Sequence, residues 1–485
     1  MRPIDNLRLF EKMSALFECY DRLALLTTDN EVLFMKYATL ADIGTLPQCA
    51  EVSHKYLQIQ DGDIVLTNDP YSGGTILSSP TLVMGVGTRN VKGNVPAEFL
   101  VVFRLTLTPK VAPAKTIDDE GLRIPPSPLY ARGVANQAIL DALKAHPMTP
   151  GNLLPLIEKW AKRLLETRER FKREYNSSDL NLTKGQIKNY LQDTEHEFSK
   201  RIDEFREGTG AIELQISPTE AIKLRAEHRE SHWLFDFAGT TPGATLFMTD
   251  SATMGAAVGT VLGIMNLDAP INTGLLNRFE IKAPRGSMVN AAFPRPLYLG
   301  HTDGLNLIAN AVALALGQID TRLAWASSGP SYCSYELRFQ DGRSFFDSLP
   351  VGGGASKKSK GSDGVYIWRR LPVNDSIEVC ESEYPLQIVS AGFRASSGGA
   401  GLHIGGRGVA KTVRLIEAAE LAWQFVSPIH KPEGVNGGKS ALGPEMIVHF
   451  ADGREQTLAH SGRIQLARGD QFTVLGPGGG GFGPA

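Results

Sequence analysis

Apolar positions fall into three successive patterns along the chain. Near the N-terminus Leu7, Phe10, Met13, Leu16 and Phe17 recur at helical spacing, which predicts a helix over Leu7–Tyr20. Short apolar runs follow at Leu23–Leu26, Val32–Met35, Ile64–Leu66, Thr81–Val86 and Phe99–Leu107. Asp-Asn and Gly turns separate them, so they predict strands, and residues 1–148 read as a mixed α/β region. A charged helical stretch begins after Thr149-Pro150-Gly151-Asn152, with Leu153, Leu156, Ile157, Trp160, Leu164 and Leu165 on one face. Asn176-Ser177-Ser178-Asp179 interrupts it. A second helix is expected from about Thr183 to Glu207, stopped by Gly208.

Residues 149–208 are therefore a helical segment, expected to join or clamp two sheet-rich parts. Residues 209–485 are glycine-rich and β-dominated, with two buried apolar helices at Ser251–Met265 and Asn306–Leu316. Strands are expected around Trp233–Phe237, Tyr335–Phe339, Ser376–Val379, Leu386–Val389, Lys411–Leu415 and Phe472–Leu475. Glycine runs at 352–354, 398–401, 405–408 and 478–481 mark tight turns and close backbone packing, and the last of them can fray. The predicted fold class is α+β, with sheet-rich N- and C-terminal regions around a central helical segment.

Composition narrows the function classes. The chain has 485 residues, 42% hydrophobic and 21% charged, an ordinary balance for a folded protein of several domains. A formal net charge of −2 gives no global attraction to nucleic acid or anionic membrane. The first ten residues lack a continuous apolar core, so no signal peptide is expected, and no stretch is apolar enough for a membrane span. Cys19, Cys49, Cys333 and Cys380 form no CxxC pair, which argues against a disulfide framework and points to a cytoplasmic setting.

Several polar groups carry two readings each. Asn68, Asp69 and Gly73-Gly74-Thr75, in a loop after the strand Ile64–Leu66, either bind substrate through side chains and backbone N–H groups or form a structural turn. Glu120, after Asp118 and Asp119, either serves as an acid/base group or orients Arg123, or else sits in a solvated turn paired with an arginine. Asp236 is either a site carboxylate or a turn former before Gly239-Thr240-Thr241-Pro242. His301 precedes an apolar helix for which Thr302 or Asp303 is the expected N-cap. His228 and His232 are four apart but lie in strand-like sequence without an HExxH pattern, so no zinc site is assigned to them.

Five segments in order carry a resemblance. They are Gly62-Asp63-Ile64-Val65-Leu66-Thr67-Asn68-Asp69-Pro70-Tyr71-Ser72-Gly73-Gly74-Thr75, then Glu120-Gly121-Leu122-Arg123-Ile124-Pro125-Pro126, then Phe235-Asp236-Phe237-Ala238-Gly239-Thr240-Thr241-Pro242. Glu383-Tyr384-Pro385-Leu386 with Phe393-Arg394-Ala395-Ser396-Ser397-Gly398-Gly399-Ala400-Gly401 follows, and the tail Pro477-Gly478-Gly479-Gly480-Gly481-Phe482-Gly483 closes the set. Together they resemble the hydantoinase B/oxoprolinase family, which includes subunits of ATP-dependent hydantoinases, 5-oxoprolinases and acetone-type carboxylases. The resemblance implies a B-type subunit that completes the opening of a cyclic amide, or a carboxylation, at a divalent metal. ATP is implied on a separate A-type partner in a hetero-oligomer.

The departures bear on that implication. Family positions resembling metal ligands correspond here to Ile76 and Ser79, to the His- and Asp-free segment Phe103–Lys110, and to Tyr20 or Asp21; Ser396 replaces a later Asp. Ile and Ser cannot complete a ligand shell of imidazole and carboxylate, so no metal ligand is assigned. Asp69, Glu120 and Asp236 are the expected catalytic groups, and Asn68, Gly73, Gly74, Thr75 and Arg123 the expected substrate contacts. The alternative is a non-catalytic paralogue serving as a structural or regulatory subunit.

Overall fold

Strands of the N-terminal sheet are apolar at almost every position because both faces of the sheet are covered. The computed structural model describes residues 3–88, 95–111, 113–176, 182–243, 246–267, 269–368, 375–427, 429 and 431–485. β1 (Leu23–Thr27), β2 (Val32–Lys36), β3 (Ile64–Thr67), β4 (Thr81–Val86), β5 (Phe99–Arg104), β6 (Ser127–Ala131) and β7 (Val134–Ala135) form one antiparallel sheet in the order β2-β1-β5-β4-β3-β6-β7. Alternate side chains go to opposite cores. Leu23, Leu25, Ile64, Leu66, Met84 and Val101 face one core, and Ala24, Leu26, Val65, Val83, Leu100 and Val102 the other.

The first core is closed by α1 (Pro3–Leu16), α4 (Leu153–Asn176) and α5 (Lys184–Ile202), through Met13, Ile157, Leu164, Phe171 and Tyr190. α3 (Gln137–Ala145) packs beside α4. Ser177, Ser178 and Asp179 of the expected helix break lie outside the described residues. The second helix of the segment ends at Ile202, before the expected Glu207, and Gly208 opens a strand instead.

The other face of the sheet meets α2 (Ala41–Leu57), a helix the apolar pattern did not announce. It contains Gly44 and Pro47 and is buried along most of its first half, so it shows no amphipathic stripe. α2 crosses α6 (Asp250–Met265), which packs on α8 (Leu305–Ile319). α7 (Thr273–Leu276) packs against α5. The crossing of α2 and α6 is glycine-mediated: a Cβ on Gly44 would lie 2.0 Å from the Ser251 carbonyl oxygen, and one on Gly255 2.3 Å from that of Leu40. α8 then covers a second sheet, β11-β10-β9-β8, made of β8 (Gly208–Ser217), β9 (Glu220–Arg229), β10 (His232–Asp236) and β11 (Phe279–Lys282). One core thus runs from the N-terminal sheet through three helices to the second sheet.

Two further sheets pack face to face. One has the order β13-β12-β16-β19, from β12 (Ser334–Phe339), β13 (Ser344–Asp347), β16 (Ala419–Gln424) and β19 (Ser461–Leu466). The other runs β14-β15-β20-β17-β18, from β14 (Leu386–Phe393), β15 (Val409–Leu415), β17 (Glu445–His449), β18 (Glu455–Thr457) and β20 (Gln471–Leu475). Tyr335, Leu337, Leu421, Val413, Val448, Phe472 and Val474 fill the space between them. Ser376–Val379, expected as a strand, is instead the start of α9 (Ile377–Glu383), because the Ser376 hydroxyl caps the Val379 N–H.

The glycine runs join into one bundle of extended segments held by backbone hydrogen bonds. Gly406 donates to Gly353, Gly479 to Gly406 and Gly399 to Gly479, each at 2.9 Å. A Cβ on Gly405 would lie 1.8 Å from the Gly479 oxygen, so the approach excludes side chains. The C-terminal run is therefore packed rather than frayed, and Phe482 beyond it is buried.

Candidate functional site

Charged residues inside apolar runs must find partners, and two of them do so on the same carboxylate. Arg22 directly precedes β1 and Arg104 ends β5, neighbouring strands whose pairing brings the two side chains to the first turn of α2. There Asp42 accepts from Arg22 Nε at 3.0 Å and Nη2 at 2.8 Å, and from Arg104 Nη1 at 2.9 Å. The Ala38 and Thr39 N–H groups also donate to it, at 3.1 and 3.0 Å. Burial works to raise the Asp42 pKa, but the two guanidiniums and these hydrogen bonds hold it well below the usual carboxylate range. Arg104 further donates to Thr81 at 2.9 Å, to Thr45 at 2.7 Å and to the Gly73 carbonyl at 2.6 Å.

Arg22 and Arg104 line a cavity of about 1550 Å³ between the N-terminal sheet, the loop after β3, the entry to α8 and the face of β13. Tyr20, Asp21, Ile76, Ser79 and the segment from Phe103 to Lys110 line it too. These are the positions at which the resemblance places metal ligands, so residues far apart in sequence converge on one space. The donors present do not fit a divalent cation. Asp21 is a lone exposed carboxylate, Ile76 offers no donor, Ser79 offers a neutral hydroxyl, and two guanidiniums occupy the floor. Among the described residues, no three His, Cys, Asp or Glu side chains come together in a group that could hold a metal ion. Ser396 lies exposed on the glycine bundle with φ +52° and does not line the cavity.

The loop after β3 is held from within and from three sides. Asn68 accepts from the Ile124 N–H at 2.6 Å and donates to the carbonyls of Leu77 and Leu122 at 2.8 Å. Asp69 caps the Tyr71 N–H at 3.1 Å and pairs with Arg123 at 3.2 Å, and Arg123 also reaches Asp118 at 3.3 Å. Gly73 and Gly74 were expected to present N–H groups to substrate. Both groups are spent inside the turn, on the carbonyls of Pro70 and Asp69. Their lack of a side chain serves packing, because a Cβ on Gly73 would lie 2.3 Å from the Cys49 nitrogen. Thr75 does line the cavity, and its buried hydroxyl has no hydrogen-bond partner among the described residues.

His301 stitches this loop to the helical layer. Its Nδ1 lies 2.6 Å from the Thr75 carbonyl and its Nε2 accepts from the Thr249 N–H at 3.0 Å. The carbonyl can only accept, so Nδ1 carries the proton. Burial pushes the imidazole pKa down to about 4, so the ring is neutral at pH 7. Neither Thr302 nor Asp303 caps α8. Residues Gly300–Gly304 form a π-turn that runs straight into it, and Asp303 instead accepts from Ser331 and the Tyr332 N–H.

Glu120 faces a second, smaller cavity of about 330 Å³ with Lys110, Tyr298 and Arg338; Lys110 lines both cavities. One carboxyl oxygen accepts from the Tyr298 N–H at 2.8 Å and the other is buried without a partner among the described residues. Burial raises the Glu120 pKa to about 7 against the backbone hydrogen bonds from Tyr298 and Leu297. Arg123 pairs with Asp69 and Asp118, so the expected Glu120–Arg123 pair does not form. Asp236 lines neither cavity; at the end of β10 it accepts from the Ala238 N–H at 2.8 Å, as a turn former does. The Arg22–Asp42–Arg104 cluster carried no local sequence signal beyond a charge at each end of an apolar strand pair.

The family model described as Hydantoinase B/oxoprolinase matches residues 18–485. An uncharacterized protein of Methanocaldococcus jannaschii is 25% identical over 95% of this chain and 84% of its own length. Caprolactamase subunit beta of Pseudomonas jessenii is 25% identical over 88% of this chain and 78% of its own length. The 5-oxoprolinase 1 of Arabidopsis thaliana is 23% identical over 88% of this chain, which spans 36% of that longer protein. The crystal structure of ATP-dependent caprolactamase from Pseudomonas jessenii superposes with a TM-score of 0.84 at 20% identity, over 100% of this chain and 91% of that one. Nucleotide-free acetone carboxylase gives 0.79 at 14% identity, over 99% and 73%. Both likenesses extend the α+β architecture over the whole chain.

Proposed function

This chain belongs to the hydantoinase B/oxoprolinase family, and we propose that it is the B-type subunit of an ATP-dependent complex acting on a cyclic amide or a related carbonyl substrate. In this reading an A-type partner binds ATP and activates the substrate, and the reaction is completed in the large cavity of this chain. The observation that carries it is spatial. Positions scattered from Tyr20 to Lys110, aligned by the resemblance with the family's ligand positions, line one cavity. Relatives supply the chemical class: one is named as the beta subunit of a caprolactamase and others as 5-oxoprolinases. A cytoplasmic setting is part of the proposal, supported by four unpaired cysteines. No helix among the described residues is long and apolar enough to cross a membrane.

Glu120, a carboxyl with a pKa of about 7 that can both give and take a proton near neutrality, faces the smaller cavity rather than the large one, so its acid/base role in this reading is exercised from that neighbouring space, which shares Lys110 with the large cavity. Asp69 and Asn68 keep the loop in place through Arg123 and the strand after it, and Asp236 supports only its own turn. No step is routed through a metal, because the donors at that position do not fit one. That same donor set favours a second reading, a non-catalytic subunit that keeps the fold for assembly.

The test is reconstitution. The chain is co-expressed with an A-type subunit from the same genome, and ATP-dependent ring opening of caprolactam, 5-oxoproline and hydantoin is followed with and without it. Turnover that requires this chain and falls in Glu120→Gln supports the catalytic reading. A complex that forms with this chain but whose turnover is unchanged in Glu120→Gln and persists without the chain supports the structural reading.

A further inference from the structure

The floor of the large cavity holds two guanidiniums against one carboxylate, an excess of one positive charge on buried side chains. The side chains of Arg104 and Asp42 are 0% exposed and that of Arg22 is 6% exposed. An uncompensated buried charge is expensive, so a fold that keeps one has a use for the missing anion. The other charges on the cavity wall do not supply it. Glu336 is paired with Arg338 and Asp347 with Lys411, while Asp21 and Asp375 are exposed to solvent.

We propose that Arg22, Asp42 and Arg104 form an anion-binding centre that takes a carboxylate or phosphoryl group of the substrate where the resemblance would place a metal. The proposal rests on the cavity being the reaction site. A guanidinium has five N–H donors in a planar fork that matches two oxygens of a carboxylate or phosphate. The contacts to Asp42 and Thr106 use three donors of Arg22. Those to Thr81, Asp42, Thr45 and Gly73 use four donors of Arg104. Arg22 therefore keeps donors where it lines the cavity, while Arg104, fully buried and also bonded to the Cys49 thiol, contributes its charge rather than a free donor. Thr75 supplies the second, independent sign of a ligand: a buried hydroxyl on the same cavity wall with no partner among the described residues. Asp42 fixes both forks in advance, so binding an anion costs little reorganisation. His301, neutral and fully committed to Thr75 and Thr249, holds Thr75 in position without adding charge.

Isothermal titration calorimetry of the full-length, chelator-treated chain with inorganic phosphate, and separately with acetate, tests the centre. One anion per chain is expected, with binding weakened roughly tenfold or more in Arg22→Gln and about threefold in Thr75→Val. Phosphate binding alone assigns the centre to a phosphorylated intermediate, and acetate binding alone assigns it to a carboxylate. If Arg22→Gln does not fold, Thr75→Val carries the test, since it removes only an unpartnered hydroxyl. The inference is overturned if the wild-type chain binds neither anion, if both variants bind as wild type, or if one manganese or zinc ion binds per chain and is lost in the variants. The titration needs no partner. A chain that assembles with an A-type subunit but binds no anion therefore removes this centre and leaves the subunit assignment standing.

Discussion

Arg104 donates to Asp42 at 2.9 Å with neither side chain exposed, joining the last residue of β5 to the first turn of α2. The bond crosses from the N-terminal sheet to the first of the helices that link it to the second sheet, so it fixes the cavity floor as well as the fold. Its energetics are asymmetric. Charges taken out of water gain little by pairing, but breaking the pair strands one of them.

Asp42→Asn is therefore expected to destabilise the protein by about 3–5 kcal/mol at neutral pH in a denaturant titration. Asp42 titrates well below its ordinary value in the folded state, so its contribution is present above about pH 4 and is lost as the pH falls toward the folded pKa. The variant should show a flatter loss of stability below pH 4 than wild type. Parallel acid-unfolding curves for the two would contradict the assignment.

Glu120 has the opposite sign. Its folded pKa of about 7 lies above its ordinary value, so the stability it contributes is complete below about pH 4.5 and is lost as pH rises through 7. The shift corresponds to about 3 kcal/mol at most. Glu120→Gln should accordingly melt higher than wild type at pH 8 and close to it at pH 5. Equal differences at both pH values would show that the carboxyl is ionised throughout.

His301 should remain neutral, with the proton on Nδ1, down to about pH 5. Nitrogen-15 chemical shifts of the imidazole read this directly. Its folded pKa of about 4 lies below its ordinary 6.5, so its contribution is intact above pH 6.5 and is lost as the pH falls toward 4. A ring that titrates near 6.5 would mean that the link between Thr75 and Thr249 is open in solution.

The crossing of α2 and α6 makes a steric prediction. Gly44→Ala puts a methyl group 2.0 Å from a backbone oxygen, and a backbone cannot rotate away as a side chain can. A loss of about 1–3 kcal/mol is expected by thermal melting. Gly185→Ala, in α5 with nothing within 4 Å, is the control and should be neutral or stabilising. Equal effects of the two would remove the close helix crossing.

Several elements were legible because their signal is local. Thr81–Val86 and Ile64–Leu66 read as strands from unbroken apolar runs, and α4 read as a helix from a stripe that faces one core. α2 was not legible, since a helix buried between a sheet and another helix loses the polar face that periodicity detects. Ser376–Val379 misled because short apolar alternation is shared by strands and single helical turns, and one capping hydroxyl decided between them.

By itself the sequence determined the α+β class, the family resemblance and the loop with Asn68 and Asp69, because propensity, turn chemistry and ordered motifs are written in neighbouring residues. Only the tertiary structure decided the cavity. Arg22, Asp42 and Arg104 are brought together by the pairing of β1 with β5 and by the helix beneath them. Whether a charged side chain is solvated or buried against a partner depends on contacts made across the fold, and no local pattern encodes those. The same contacts separate Glu120, which burial turns into a titrating group, from Asp236, which keeps an ordinary turn.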